Sequence, residues 1–484
     1  MDPRMPYDDF SWDESEEVES AWLRAILNEP TMRTIGEFMI RYREGNPTEM
    51  CDPKTGAFNI IFRMKYEDGG SIVIRFPKPG CSMFPEEKIR NEVAAMRYIR
   101  SHTSIPVPRV LHWGTREESP LRLGPFIIMD YIDHHTDASK VLNTPGLSWQ
   151  DRPRLNPHIN LDTLEMLYRQ LAGILLQLSR LEFPEIGSLA EVTAANWEVR
   201  HRPLSLHINE LVRLGTLPRR KIANSTYATS PEYLEALAQL HADHLEHQRN
   251  DSVESEPDCR RKYVARRLFS KLVKERRPPL PPPPSGPFRL WCDDFRPTNV
   301  LLDANMQIVG MVDWEFTYAA PAEFSFAPPW WLLIEMPEYW PDGLAGWKKT
   351  YETRLETFLK AMRDAEDGAI AARTLRQDQR LSPKMRASWD SGEFWLMYAA
   401  RKSFAFDAIF WQELNPRFLG PAAGDVLPPP PEHAWLASVG DMDDEEKAVM
   451  EDFVERKIES LETMALAWDA VEEDFPLAES TVGR

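Results

Sequence analysis

The residues best suited to chemistry lie in one segment, residues 290–316, where Asp294 and Asn299 show D-x-x-x-x-N spacing and Asp313 follows. Two short apolar runs flank a polar turn at residues 303–305, which is typical of a β-hairpin. This hairpin would bring Asp313 back beside Asn299. Phosphoryl transfer needs a carboxylate to orient the attacking hydroxyl and two oxygen ligands to hold magnesium across the phosphates. The three residues can meet at one point, and together they indicate a phosphotransferase centre.

The same residue types also have ordinary structural roles. Asp and Asn are the commonest turn formers, so each residue taken singly is better explained as a turn cap or a strand end. The joint pattern of D-x-x-x-x-N, hairpin and D-x-E after a small lobe is much less expected by chance. We therefore favour catalytic use of Asp294, Asn299 and Asp313.

The elements that must position this segment begin with a small sheet. Two β-rich runs around an Asp-Gly-Gly turn predict strands near residues 58–66 and 71–76. A helix is predicted from Pro85, because acidic residues suit its first turn and apolar residues follow at helical spacing. Further apolar runs at 107–114 and 125–132 complete an antiparallel sheet with one helix on it.

We predict an α+β fold with two lobes, a small antiparallel-sheet N-lobe and a large, mainly helical C-lobe. Residues 1–50 form a helical extension, residues 51–131 the N-lobe and residues 132–484 the C-lobe with its C-terminal helices. The helical assignment of the C-lobe rests on apolar faces such as that of residues 161–181.

A polar and charged stretch interrupts the C-lobe. Residues 248–286 are predicted to be a mobile insertion, because this composition buries too little apolar surface to offset the entropy of ordering. The Pro-rich tract at 278–287 is similar to a ligand of SH3 domains. Solvated linkers of this composition are commoner, so we do not expect a protein partner to bind through it.

The overall charge limits the possible partners. The chain of 484 residues has a formal net charge of -19, which repels nucleic acid and anionic lipid, and neither is expected as a partner. A small anionic ligand can still bind through local cationic groups and a divalent cation. The four widely spaced cysteines and the absence of a signal-peptide pattern predict a soluble, cytoplasmic protein.

Several motifs resemble those of a known family. They are Asp-Phe-Arg-Pro-x-Asn at 294–299, Asp-Trp-Glu-Phe at 313–316 and Ala-Pro-Ala-Glu-Phe at 320–324. The pattern resembles the aminoglycoside and choline kinase-like phosphotransferases, especially a large fungal branch of them, over about residues 50–415. This resemblance implies a bilobal protein-kinase-like fold. It also implies transfer of the γ-phosphoryl of Mg-ATP, or Mg-GTP, to a hydroxyl of a small-molecule acceptor.

The resemblance assigns roles within the catalytic segment. Asp294 looks like the catalytic base, and Asn299 and Asp313 look like magnesium ligands, with Glu315 assisting. Arg296 lies two residues after Asp294 and could neutralise charge that develops on the transferred phosphoryl group, although a loop contact without phosphate is the simpler interpretation.

Two positions depart from the family pattern. Cys292 stands where the family usually has His, and we expect a buried packing residue rather than a reactive thiol. Arg75 stands where kinases place the strand lysine that contacts the nucleotide phosphates. Its planar fork prefers bidentate partners, so we expect it to bind Glu92 of the following helix, either as part of the site or as an ordinary ion pair.

The remaining nucleotide contacts are predicted more weakly. Gly56 with Asn59 could form the turn over the phosphates, although no G-x-G-x-x-G motif is present. Met129 and Tyr131 would belong to the hinge beside the purine ring. An aromatic group after the hairpin could form a wall of the acceptor pocket, but so many aromatic residues more often build core; they are Trp330, Trp331, Tyr339 and Trp340.

Two other functions remain open from the sequence. A nucleotide-binding pseudokinase or scaffold would have little physical reason to retain all three of Asp294, Asn299 and Asp313. A protein kinase would carry a recognisable activation-loop segment after Asp313, and the sequence shows none.

Overall fold

The computed structural model describes residues 4–148, 150–193, 196–275, 287–420 and 433–461. The N-terminal part contains two helices, an antiparallel sheet of six strands and one helix between strands. In chain order these elements are α1 (Asp9–Ile26), α2 (Glu29–Met39), β1 (Pro47–Met50), β2 (Lys54–Thr55), β3 (Asn59–Tyr66), β4 (Ser71–Pro77), α3 (Pro85–His102), β5 (Val110–Gly114) and β6 (Phe126–Asp130).

Both faces of this sheet are covered, which explains why every residue of β4 is buried. On one face, Ile35 and Phe38 of α2 pack with Ile74 in a single apolar cluster. On the other face, Val93 of α3 packs with Val73. Side chains alternate between the faces of a strand, so a strand between two helical layers is buried at every position, and in β4 most of these positions are apolar. The predicted hairpin of β3 and β4 is confirmed.

The C-terminal part is mostly helical, as predicted, and α5 packs along α10. Its elements are β7 (Thr136–Asp137), α4 (Ala138–Leu142), α5 (Leu161–Leu178), β8 (Glu182–Phe183), β9 (Ser188–Thr193), β10 (Asn196–His201), α6 (Leu206–Leu214), α7 (Ser230–His247), α8 (Glu256–Glu275), β11 (Phe288–Cys292), β12 (Val300–Leu302), β13 (Ile308–Met311), β14 (Thr317–Ala320), α9 (Ala322–Phe326), α10 (Gly343–Ala371), α11 (Ser382–Ser391), α12 (Glu393–Ala399), α13 (Phe406–Ile409), α14 (Asn415–Phe418), α15 (Ala434–Gly440) and α16 (Asp444–Leu461).

The catalytic segment is folded as two nested hairpins. The inner pair is β12 and β13, in which Val300 lies opposite Met311. The outer pair is β11 and β14, in which Cys292 lies opposite Thr317. Antiparallel pairing of both hairpins brings the loop after β11 beside the loop after β13.

The prediction of a mobile insertion at 248–286 is wrong for residues 256–275, which form α8. One face of this helix is fully buried against neighbouring helices, through Cys259, Val264, Phe269 and Leu272. The average composition of the stretch is polar, but its apolar residues recur at helical spacing, and that spacing is what permits burial.

An internal ion pair also fixes α8 in place, since Arg266 binds Asp407 of α13 at 2.7 Å and 3.1 Å. Residues 248–255 of the predicted insertion are described and include the fully buried Gln248 and Ser252. Residues 276–286 lie outside the described residues, and with them all but the last residue of the Pro-rich tract. Within the described part of the chain, no helix has both the length and the apolar run needed to cross a membrane.

Candidate active site

The loop after β11 holds Asp294 and Asn299 together. Both residues are 6% exposed. A short 3-10 turn, Pro297–Asn299, places the Asn299 amide so that its Nδ2 donates to the Asp294 carbonyl at 2.9 Å and to Asp294 Oδ2 at 3.3 Å. Because Nδ2 is used in this way, the amide oxygen of Asn299 is the atom left to act as a ligand.

Asp313 reaches the same place from the other loop. The Val312 amide donates to the Asn299 carbonyl at 2.9 Å, which joins the two loops. Asp313 has a φ of 64°, a left-handed conformation that costs a residue with a side chain about 1–3 kcal/mol. The turn it makes leaves oxygen atoms of Asp294, Asp313 and Glu315 within 4.8 Å of one another.

These residues fit a divalent cation. Carboxylate and amide oxygens are the ligands that Mg²⁺ and Ca²⁺ prefer. Glu315 Oε1 is buried and has no hydrogen-bond partner among the residues described, so one oxygen of the cluster lacks the contact that burial normally requires. The Asp313 side chain remains 28% exposed, which leaves an approach from solvent.

Repulsion among the carboxylates appears in their pKa values. Burial, together with the negative charge of Glu315, raises the pKa of Asp313 to about 8, against the opposing effect of Arg75. Burial also raises the pKa of Asp294, and nearby Arg296 opposes the rise. Burial acts in the same direction on Glu315, but Lys88 and Arg75 outweigh it and lower the pKa of that carboxyl. A bound cation would relieve this repulsion.

Arg75 of β4 connects the sheet to this cluster. The predicted ion pair with Glu92 is confirmed, and both side chains are buried. In addition, Arg75 Nη1 donates to Asp313 Oδ1 at 3.0 Å, a contact that the sequence did not reveal. Arg75 therefore reaches the proposed metal ligand directly.

Asn59 is buried beside the carboxylate cluster of Asp294, Asp313 and Glu315 rather than in an exposed loop. The Gly56 amide donates to the Asn59 carbonyl at 2.8 Å, which closes a turn at the predicted place. The Asn59 side chain, however, donates to Glu315 Oε2 at 3.0 Å and accepts from Lys88 at 3.0 Å. Lys88 was not among the site residues predicted from the sequence, although its position four residues before Glu92 puts both on one face of α3.

Arg296 and Cys292 differ in what they contribute. Arg296 Nε lies 3.1 Å from Asp294 Oδ1, so in this structure its charge faces the carboxylate. Cys292 is 4% exposed and contacts the Glu315 carbonyl at 3.8 Å. Burial raises the pKa of its thiol well above the ordinary value, which favours packing over reactivity.

The predicted hinge residues lie at the end of β6. Met129 is 6% exposed, and the Tyr131 amide donates to the Ser71 carbonyl at 3.0 Å. The sheet therefore uses that amide, and it is not available to a purine. The guanidinium of Arg63 lies over the Tyr131 ring at 3.5 Å. Within the described part of the chain, no hydrogen bond, ion pair or ring contact joins Met129 or Tyr131 to the carboxylate cluster.

The aromatic group after the hairpin divides into two kinds. Trp331 is 3% exposed and packs edge-on against Phe295, with ring centres 5.5 Å apart, so it belongs to the core. Tyr339 is partly exposed and its hydroxyl contacts the N-terminal segment, accepting from Arg4 at 2.9 Å and lying 3.2 Å from the Tyr7 hydroxyl. Trp330 and Trp340 are partly buried against the core.

A small antiparallel sheet and a larger helical part meet at nested hairpins that carry Asp, Asn and Asp-x-Glu. This combination defines the class of bilobal, kinase-like phosphotransferases. The chain matches the Phosphotransferase enzyme family, APH, over residues 56–363. The match covers more than half of the chain, so the protein belongs to this family, and the resemblance noted in its motifs is confirmed.

The relatives are distant in sequence. The chain is 24% identical to clavilactone A biosynthesis cluster protein Y of Ampulloclitocybe clavipes over 316 residues, which are 62% of this chain and 68% of the relative. It spans only 25% to 48% of the length of three further curated relatives.

Solved structures that match the chain include a macrolide 2'-phosphotransferase type I, 14% identical, with a TM-score of 0.40 over 78% of this chain and 97% of that chain. Another is the amicoumacin kinase hAmiN in complex with AMP-PNP, Ca²⁺ and Ami, 11% identical, with a TM-score of 0.39 over 90% and 96% of the two chains.

Proposed function

We propose that the protein transfers the γ-phosphoryl group of magnesium-bound ATP, or GTP, to a hydroxyl of a small-molecule acceptor. The observation that carries this proposal is the cluster of Asp294, Asp313 and Glu315, whose oxygens lie within 4.8 Å of one another beside the Asn299 amide. Arg75 adds a buried positive charge from the sheet that would cover the nucleotide.

In this proposal the chain's own groups divide the work. Asn299 and Asp313 hold the divalent cation, with Glu315 as a further oxygen. Asp294 accepts a hydrogen bond from the acceptor hydroxyl and takes its proton as the phosphoryl group moves. Arg296, now 3.1 Å from Asp294, is close enough to turn toward the phosphoryl group. A bound magnesium ion would supply charge neutralisation and orientation of the phosphates.

The acceptor would bind on the side of Asp294 that faces α6 and the segment after α12. Burial raises the pKa of Asp294, Glu338 and Glu210, and the positive charge of Lys402 opposes the rise in each of them. Glu338 accepts a hydrogen bond from the Tyr398 hydroxyl at 2.7 Å. The Glu210 carboxyl, which interacts electrostatically with Asp294, favours an acceptor with hydrogen-bond donors.

Nucleotide turnover by purified protein, measured with Mg-ATP and Mg-GTP against a library of hydroxylated metabolites, tests the proposal. We expect one class of acceptor to give a phosphorylated product that disappears on adding a chelator. Nucleotide binding without any acceptor-dependent product would instead indicate a scaffold. Phosphorylation of proteins in the absence of a small acceptor would indicate a protein kinase.

A further inference from the structure

The ammonium group of Lys88 is buried at the floor of the carboxylate cluster. Lys88 is 2% exposed and forms an ion pair with Glu315. Its Nζ also donates to Asn59 Oδ1 at 3.0 Å and to Ser82 Oγ at 3.2 Å. A buried lysine is costly unless it is paired, so these contacts bind its charge to one place.

Two aromatic rings keep water from this charge. The Lys88 ammonium lies 5.5 Å from the centre of the Phe58 ring and 5.7 Å from that of Phe316. These rings also pack edge to face with each other, 5.9 Å apart. In such surroundings the attraction between Lys88 and Glu315 is stronger than it would be at the surface.

The Glu315 carboxylate is divided between two functions. Its Oε2 accepts from Asn59 Nδ2 at 3.0 Å and contacts Lys88. Its Oε1 is buried without a hydrogen-bond partner among the described residues. Because a ligand atom of Glu315 also lies within 4.8 Å of atoms of Asp294 and Asp313, anchoring Oε2 leaves Oε1 as the oxygen available to a cation.

One helix holds both acids of the Asp-x-Glu pair. Glu92 of α3 binds Arg75, which in turn binds Asp313. Lys88 of the same helix, four residues earlier, binds Glu315 directly. The helix α3 thus supplies an anion, Glu92, to the ion pairs that lead to Asp313, and a cation, Lys88, to the ion pair with Glu315.

We propose that Lys88 is a positioning residue that anchors Oε2 of Glu315 and so directs Oε1 to a divalent cation, which makes Glu315 a ligand in addition to Asp313. This inference rests on the proposed function, because it assumes that the cluster binds a metal. In this proposal Lys88 acts through Glu315 and contacts neither the metal nor the nucleotide itself. Its effect should therefore appear as a change in metal affinity that depends on Glu315.

Binding of Mn²⁺ in the presence of AMP-PNP, followed by the electron paramagnetic resonance signal of free Mn²⁺, provides the readout. Lys88→Met should weaken Mn²⁺ binding about 10- to 100-fold, as loss of groups that orient metal ligands usually does. Lys88→Gln keeps a hydrogen-bond donor without the charge, and it serves if Lys88→Met fails to fold. The matched control is Lys262→Met, which removes another buried lysine, paired with Asp258, and should leave Mn²⁺ affinity unchanged.

A double-mutant cycle with Glu315→Gln distinguishes an effect of Lys88 through Glu315 from an effect that is independent of Glu315. If Lys88 acts through Glu315, Lys88→Met should weaken Mn²⁺ binding no further in the Glu315→Gln background. Equal weakening in both backgrounds, or wild-type affinity in Lys88→Met, would overturn the inference while leaving the proposed function intact. Failure of the wild-type protein to bind Mn²⁺ with AMP-PNP would overturn the proposed function as well.

Discussion

Arg75 Nη1 donates a hydrogen bond of 3.0 Å to Asp313 Oδ1 and thereby ties the strand β4 to a proposed metal ligand of the catalytic segment. The same guanidinium binds Glu92 of α3, and Arg75 is 3% exposed. A planar guanidinium can bind two carboxylates at once, whereas an ammonium group is a single point of charge. Arginine in the place of the strand lysine therefore joins three elements.

Arg75→Lys should reduce turnover at least about tenfold, because a charged hydrogen bond is worth roughly 1.5–3 kcal/mol and lysine can keep only one of the two partners. The measurement is kcat/KM for the nucleotide once an acceptor is identified. Arg109→Lys is the control, since Arg109 forms an exposed pair with Asp130 on the same sheet and should have little effect. Equal activity of wild type and Arg75→Lys would show that activity does not require Arg75 to bind both Glu92 and Asp313.

Asp294→Asn should lower kcat by about 10²- to 10⁴-fold with little change in nucleotide affinity, because it keeps the shape of the side chain but removes the base. Asp303→Asn, in the turn of the inner hairpin, changes an acid outside the cluster and should leave kcat nearly unchanged. Turnover of an identified acceptor by Asp294→Asn at the wild-type rate would exclude Asp294 as the base.

Asp313→Ala should remove the part of nucleotide stabilisation that depends on metal. For the wild type, AMP-PNP should raise the melting temperature only when Mg²⁺ is present, since a ligand that binds only the folded state stabilises that state. The variant should fold and show no such difference between Mg²⁺ and chelator. A metal-dependent shift of wild-type size in Asp313→Ala would remove this residue from the metal site.

Three buried histidines in the C-terminal part should make the fold sensitive to acid. His207, His241 and His244 are all buried, and Ser403 lies between the first two, 2.6 Å from His207 Nε2 and 2.8 Å from His241 Nδ1. Burial lowers the pKa of His207 to about 3 and those of the other two well below the ordinary value. The folded protein thus holds them neutral.

Because these pKa values are lowered in the folded state, acid should lower the free energy of unfolding. Above pH 6.5 the imidazoles are neutral in both states and their full contribution to stability is present; as pH falls from about 6.5 toward 3, the unfolded chain takes up protons first and stability is lost. His207→Gln should therefore lose less unfolding free energy between pH 7 and pH 5 than wild type, by about 2 kcal/mol. His158→Gln, at an exposed position, should keep the wild-type slope. Identical slopes for all three proteins would contradict the assignment.

The packing of α8 can be tested by substituting one of its buried residues. Phe269 is fully buried, so Phe269→Ala should cost about 3–5 kcal/mol of unfolding free energy through lost burial and a cavity. Lys271→Ala is the control, because Lys271 lies on the exposed side of the same helix. A loss under 1 kcal/mol for Phe269→Ala, measured by urea unfolding, would restore the original prediction of a loosely held insertion.

The sequence by itself determined the parts of this protein that depend on short separations. The sequence predicted that one site contains Asp294, Asn299 and Asp313, because turn residues and strand spacing within one segment indicate a hairpin. Two strands of the first sheet followed from β-rich runs around an Asp-Gly-Gly turn, whereas β1, which lies within the predicted helical extension at 1–50, was not predicted. Even the pair of Arg75 and Glu92 was accessible, since a strand and the next helix bring these residues to one interface.

Only the tertiary structure decided contacts across the two parts of the chain. Asn59 and Glu315 are 256 residues apart, and no local pattern records that they share a hydrogen bond. The burial of Lys88 likewise results from the packing of α3 against the hairpins, which brings it to Glu315. The helix α8 was missed because average polarity concealed an apolar face, and whether such a face is buried depends on the partner that covers it.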